Sequence, residues 1–306
     1  MKRIRDIFLR FFVKFFVRSP LNVRLGRIFY GNDGGIYSNL IGEYILYRDR
    51  TKAENKGFIV NQTNVSSASI NSEGFIINDS LVGSELIESI AEKWNIYCKD
   101  KTRPKDGRLQ ISSKEDSSIM HSYFSNVGLC ITAEIQEIIE QFYRCHMNIL
   151  NYHIYRIYGY PDKTNQLLYG STATWHNDGS TSESLKLFYM LSDINEIEDG
   201  PTAVLNIEQT KKVTKSGKFY FPDKQARTAK LIQSEYKPEL ILGAQGTAFI
   251  VRTNQCLHSA SIPNQGRTRD LLAFYITSSA KKRMVSEQLN NAQYGEILGL
   301  KRFSFQ

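Results

Sequence analysis

The sequence predicts an α+β, mainly β fold: helices come first, then an antiparallel sandwich or barrel. Two observations carry this. From Asn151 onward the apolar residues form short runs, YHIYRIYG, QLLYGST, SLKLFYMLSDI, PTAVLN, GTAFIVR and RDLLAFYIT, separated by Gly, Asp, Asn and Pro turns. Runs this short, with no long helix between them, pair as antiparallel strands. Before Asn151 the clearest pattern is helical spacing, from Thr132 to Leu150. The 306 residues are 41% hydrophobic and 12% aromatic, enough to bury a sizeable core. With 20 glycines and 7 prolines, the composition excludes collagen-like and low-complexity chains.

The first element is a basic amphipathic helix over residues 1–20. In MKRIRDIFLRFFVKFFVR, Ile4, Ile7, Phe8, Phe11, Phe12, Phe15 and Phe16 share one arc, while Arg3, Asp6, Arg10, Lys14 and Arg18 share the opposite one. Six basic residues against Asp6 leave +5 of the chain's formal +8 in this stretch. A basic helix with an aromatic face lies in the plane of an anionic membrane, so residues 1–18 are expected to bind a membrane surface. No apolar run is long enough to span a bilayer. Arg10 and Lys14 also interrupt the run that a secretory signal needs. Cys98, Cys130, Cys145 and Cys256 have no CxxC spacing, which points to reduced, buried thiols and a cytosolic compartment.

Residues 21–150 read as a helical or irregular support region. It holds a Gly-rich turn at Gly31–Gly35, a polar stretch from Asn61 to Ser72 and a helix from Ser84 to Cys98. A clearer helix is expected from Thr132 to Leu150, where Ile135, Ile138, Ile139, Phe142 and Tyr143 recur at helical spacing. The β core is expected over residues 151–280, with a tail at 281–306. Between its fourth and fifth runs, residues 207–240 carry Lys211, Lys212, Lys215, Lys218, Lys224, Arg227, Lys230 and Lys237 against Glu208, Asp223 and Glu235, a basic insertion.

Among the five histidines, His121, His146 and His153 have no carboxylate at useful spacing and read as structural. His176-Asn177-Asp178 ends a β-type run, and two residues apart on extended backbone both side chains face the same way. His258 follows GTAFIVR, and eleven residues later Arg269 opens the last strand. Two histidines and one carboxylate form a facial triad that leaves coordination positions open on Fe(II), and an arginine offers a fork for a carboxylate. Arg267 competes for that role, but alternation puts Arg269 on one face with Leu271, Ala273 and Tyr275.

Residues 151–278, through WHND, SLKLFYMLSDINEIEDGPTAVL and GTAFIVRTNQCLHSASIPNQGRTRDLLAFY, resemble the phytanoyl-CoA dioxygenase-like branch of the Fe(II)/2-oxoglutarate oxygenases. The resemblance implies a double-stranded β-helix, a cupin-like jelly roll, buttressed by helices. It implies His176, Asp178 and His258 as Fe(II) ligands and Arg269 as the partner of the distal carboxylate of 2-oxoglutarate. Lys186 matches a position near that same carboxylate, and Tyr158 a position facing the cosubstrate. The implied reaction consumes dioxygen (O2) and 2-oxoglutarate, releases succinate and carbon dioxide, and hydroxylates a C–H bond.

A basic helix and a basic insertion suit an anionic, lipid-linked substrate at a membrane surface. The combination resembles the Kdo hydroxylase type, which acts on Kdo-lipid A of the lipopolysaccharide inner core. The expected location is therefore cytoplasmic and peripheral, on the cytosolic face of the inner membrane. A hydroxylase of a soluble metabolite or acyl thioester is the alternative enzyme. A metal-bearing jelly roll that binds glycans without turnover is the alternative outside catalysis. No nucleic-acid motif appears, so nucleic acid is not an expected partner.

Overall fold

The computed structural model describes Leu25 and residues 35–59, 65–79, 81–159, 174–178, 183–215, 232 and 234–290. The expected helix at residues 1–20, the run QLLYGST and most of the tail lie outside the described residues. So do Lys218, Lys224, Arg227 and Lys230 of the basic insertion.

The helices are α1 (Gly35–Glu54), α2 (Val65–Ser72), α3 (Ser84–Lys99), α4 (Ser117–Tyr123), α5 (Ala133–Tyr143), α6 (Ile207–Lys215) and α7 (Val285–Asn290). The strands are β1 (Phe75–Asn78), β2 (Arg108–Ser112), β3 (His146–Tyr158), β4 (Leu185–Met190), β5 (Thr202–Val204), β6 (Glu239–Ile241), β7 (Ala248–Val251), β8 (His258–Ala260) and β9 (Thr268–Ser279). Among the described residues, no helix is long and apolar enough to cross a membrane.

Six strands form one sheet in the order β1-β7-β4-β9-β3-β2, and three form a second in the order β6-β5-β8. All pairings are antiparallel. His176 bridges to His258 on the outer side of β8, adding a one-residue fourth member to the small sheet. From β3 the chain visits the large sheet, the small sheet at His176, the large sheet at β4, the small sheet at β5 and β6, and then alternates through β7, β8 and β9. That winding is a double-stranded β-helix, as the family resemblance implies. Two strands come from the preceding region: β1 extends the large sheet beside β7, and β2 extends it beside β3.

Alternation divides the large sheet into two faces. Leu185, Leu187, Tyr189, Leu272, Phe274 and Ile276 face the helices and share a core with Ile87, Trp94, Ile135 and Ile139. Phe188, Met190, Leu271, Ala273 and Phe249 face the small sheet and pack with Val204, Ile241 and Ile262. Behind the small sheet, α6 buries Val213 against Leu205 and Leu257. The start of the basic insertion is therefore a packed helix.

The helix expected over residues 132–150 is shorter. Thr132 caps it, its Oγ1 accepting from the Ile135 amide at 3.3 Å. Arg144 then takes φ 54°, the left-handed conformation that ends a helix, and β3 begins two residues later. Ile149 and Leu150 belong to that strand.

All four cysteines are free and buried, and burial pushes each thiol up to about 12. Gly74, at φ 91°, lies where an added Cβ would come within 2.2 Å of Cys256 Sγ, so the chain passes Cys256 closely only because this residue has no side chain.

Candidate metal centre

His176 and His258 sit opposite each other on the small sheet, 82 positions apart in the chain. Each amide donates to the other's carbonyl at 3.0 Å, and the two rings lie 4.3 Å apart. Asp178 is held by its own amide, which donates to Thr253 O at 2.9 Å. The neighbour of His258 is also fixed: the Leu257 amide donates to Thr210 Oγ1 of α6 at 2.9 Å, and Leu257 O accepts from the Leu205 amide at 2.8 Å. One ligand atom from each of His176, Asp178 and His258 lies within 4.8 Å of the others.

The tautomers are set by carbonyls. His176 Nδ1 lies 2.8 Å from Thr174 O, and His258 Nδ1 lies 3.0 Å from Cys256 O. A carbonyl only accepts, so each Nδ1 carries the proton and each Nε2 presents a lone pair. Burial is the main force lowering both imidazole pKa values, His258 to about 3, and the nearby His176 adds to that shift. Burial would raise the Asp178 pKa, but the Lys186 ammonium at 2.5 Å outweighs it and holds the carboxyl below the usual range. The site thus offers two neutral imidazoles and one carboxylate.

That donor set fits a divalent transition metal. Three ligand atoms about 2.1 Å from one ion on a shared face stand about 3 Å apart, so these side chains would draw in from the 4.8 Å within which they now lie. Such a set favours imidazole-compatible ions including Fe(II), and its facial arrangement leaves positions for other ligands.

Arg269 lies on the inward face of β9, only 1% exposed. Its Nη1 donates to Gly200 O at 2.7 Å and lies 3.3 Å from Thr202 Oγ1, while Nε has no partner. It therefore bridges the sheets, reaching β5 at Thr202, whose partner Ala260 is two residues from His258. Arg267 lies outside, paired with Asp199 at 2.6 Å and Glu196 at 3.2 Å.

The other two residues expected at the site lie as follows. Lys186 sits on a central strand, paired with Tyr275 of β9 and Val251 of β7, and its ammonium meets Asp178 and the Tyr275 ring. Tyr275 stands six residues from Arg269 along β9, and the carboxylate that Lys186 meets there is Asp178. Tyr158 pairs with Thr268 and faces away from the small sheet, between Arg103 and Arg156. The inward tyrosine of β3 is Tyr155, which lies near Arg269 and stacks under Arg108, 4.4 Å from its ring centre. His153, read as structural from sequence, is also inward, 4.9 Å from the Tyr275 ring. The alternation in YHIYRIY carries that signal: His153, Tyr155 and Ile157 share one face.

No family model and no curated protein matches the sequence. Solved structures do align with the chain. The non-heme alpha ketoglutarate dependent epimerase SnoN from nogalamycin biosynthesis aligns with TM-score 0.48 and 12% identity, over 70% of this chain and 82% of that one. EctD from S. alaskensis, with 2-oxoglutarate and 5-hydroxyectoine, aligns with TM-score 0.47 and 10% identity, over 69% and 74%. HygX from Streptomyces hygroscopicus, with nickel and 2-oxoglutarate bound, aligns with TM-score 0.43 and 16% identity, over 71% and 87%.

Proposed function

We propose that the chain is an Fe(II)/2-oxoglutarate-dependent dioxygenase that hydroxylates a C–H bond of an anionic substrate. The observation that carries this is the convergence of His176 Nε2, Asp178 and His258 Nε2 inside the jelly roll, with Arg269 buried across the same interior.

Fe(II), bound with 2-oxoglutarate and O2, supplies the oxidising power for an unactivated C–H bond. The protein's residues position and shield that chemistry. His176 and His258 present lone pairs fixed by backbone carbonyls, and Asp178 stays ionised beside Lys186. Arg269 has spare N–H donors for a carboxylate, and its anchoring to Gly200 O fixes where that carboxylate sits. The apolar residues around it, Leu271, Met190 and Ile262, keep bulk water from the space between the sheets.

The substrate we infer is an anionic lipid-linked glycan at the membrane surface, such as Kdo of Kdo-lipid A on the cytosolic face of the inner membrane. The basic aromatic stretch at residues 1–18 and the lysine-rich insertion support this reading. Succinate formation by iron-loaded, full-length protein tests it. Detergent-solubilised Kdo-lipid A is expected to raise the rate above the uncoupled level and to gain one oxygen atom by mass. No stimulation removes the glycolipid assignment. No 2-oxoglutarate turnover under any condition favours the glycan-binding alternative.

A further inference from the structure

Register aligns the inward face of the large sheet into rows. Arg108 of β2, Ile157 of β3 and Arg269 of β9 form one row, because Arg108 pairs with Ile157 and Ile157 with Arg269. Gln110, Tyr155 and Leu271 form the next, and Ser112, His153 and Ala273 the one after. Strands stand about 4.8 Å apart, so the backbones at Arg108 and Arg269 are separated by about 10 Å. The charged residues on this face of β2, β3, β4 and β9 are Arg108, Arg269 and Lys186; none is a carboxylate.

Two of these cations have an assigned anion. Lys186 pairs with Asp178, and Arg269 is placed for the cosubstrate carboxylate. Arg108 has none: its guanidinium lies on the Tyr155 ring, its Nε is buried, and that atom has no hydrogen-bond partner. A buried donor left without a partner costs free energy in general, so this N–H is available to an acceptor that enters the space between the sheets.

A second donor lies two rows away. Asn151 Oδ1 accepts from Ser113 Oγ at 2.5 Å, so its amide nitrogen faces His153 Nε2 at 2.6 Å. His153 Nε2 therefore accepts, and the proton sits on Nδ1, which is buried and has no partner. Burial first, then Arg108, Lys186 and Lys114, keep this imidazole neutral, so it serves as a donor that does not titrate near neutrality.

We propose that Arg108 and His153 form a second oxyanion subsite between the sheets, which grips a carboxylate or phosphate of the prime substrate. Its role in substrate binding rests on the oxygenase reading above. β2 is the edge strand of the large sheet and Arg108 is half-buried, whereas Arg269 is almost fully enclosed. Arg269 thus lies deep and Arg108 near the rim, the order expected if the cosubstrate enters first and the substrate second. It also gives a role to the region before the jelly roll, which supplies β2.

The test titrates full-length, metal-free protein with inorganic phosphate and, separately, with acetate, by calorimetry. The variants are R108Q, R108K and R269A, and the anaerobic visible band with Fe(II) and 2-oxoglutarate is recorded for each. Saturable binding of at least one anion is expected in the wild type and in R269A. R108Q is expected to weaken it about tenfold or more, the loss of one charge-assisted contact. R108K is expected to fall between, because it keeps the charge and loses the fork. The band is expected to be unchanged in R108Q, which also shows that this variant is folded. Phosphate binding without acetate binding points to a phosphorylated substrate, and the reverse points to a carboxylate. Absence of anion binding in the wild type, or equal binding in R108Q, overturns the subsite. Anion binding that depends on Arg108, in a wild type that gives no Fe(II)/2-oxoglutarate band, overturns the oxygenase reading and leaves an anion site of another purpose.

Discussion

His176 and His258 are joined as a reciprocal backbone pair, each amide donating to the other's carbonyl at 3.0 Å. Two residues far apart in sequence are thereby fixed by strand register, so the geometry of the candidate metal site depends on pairing within the small sheet. The third member of the cluster, Asp178, is tied to Thr253 by its amide and to Lys186 by its carboxylate. Asp178→Ala is expected to abolish metal-dependent 2-oxoglutarate turnover. In metal-free protein it should also cost about 3 kcal/mol, because Lys186 is left buried without its counter-charge. The double variant Asp178→Ala/Lys186→Met is expected to regain stability in urea unfolding while remaining inactive. Equal stability of wild type and Asp178→Ala would show that the pair is not buried as described.

Tyr155 and Tyr158 separate the structural reading from the sequence one. Tyr155 faces the space beside Arg269, while Tyr158 lies between Arg103 and Arg156 on the other face. Tyr155→Phe is expected to raise the KM for 2-oxoglutarate several-fold, and Tyr158→Phe to leave it unchanged. The reverse ranking would contradict the register of β3.

The pH dependence of stability follows from His153. Its pKa is lowered from 6.5 to about 3, by burial first. Between those values the unfolded chain binds the proton and the folded chain does not, so stability rises with pH across that window. The contribution is complete above about pH 6.5 and is lost as pH falls toward about 3. The midpoint of thermal unfolding should drop less steeply between about pH 6.5 and pH 4 in His153→Gln than in the wild type. His176 and His258 are also lowered and supply the slope that remains. Identical slopes would show that His153 is solvated.

Asp270 links the helices to the strand that carries Arg269. It accepts from Arg156 Nε and Nη2, both at 2.7 Å, and from Trp94 Nε1 of α3 at 3.1 Å, and is 3% exposed. Asp270→Ala leaves the Arg156 guanidinium without its carboxylate, with an expected loss of about 3–5 kcal/mol. Chemical denaturation checks this; a loss below about 1 kcal/mol would mean that the network does not clamp β9.

What was legible in the sequence was the central part of the jelly roll and the metal constellation. β4, β7 and β9 are largely apolar runs between turn residues, as strands buried on both faces must be. HxD and the distant His258 are the wrong residue types for such a core, and so they stood out. α1 was not legible because its buried positions include Asn39 and Asp49, which erase the apolar stripe that periodicity detects. β1, β6 and β8 have only three or four residues, too few for an alternation to register. The helix expected to reach Leu150 stops at Arg144, because one left-handed residue ends it while apolar spacing continues into β3. Arg108 carried no motif, and only the pairing of β2 with β3 brings it to the interior.

The most direct test of the metal centre is an anaerobic titration of metal-free protein with Fe(II) and then 2-oxoglutarate, with Arg269→Ala and His258→Ala alongside. A visible metal-to-ligand charge-transfer band is expected that requires both components, reaches one equivalent of each, weakens in Arg269→Ala and is absent in His258→Ala. No band in folded, iron-loaded wild type, or an undiminished band in His258→Ala, would contradict it.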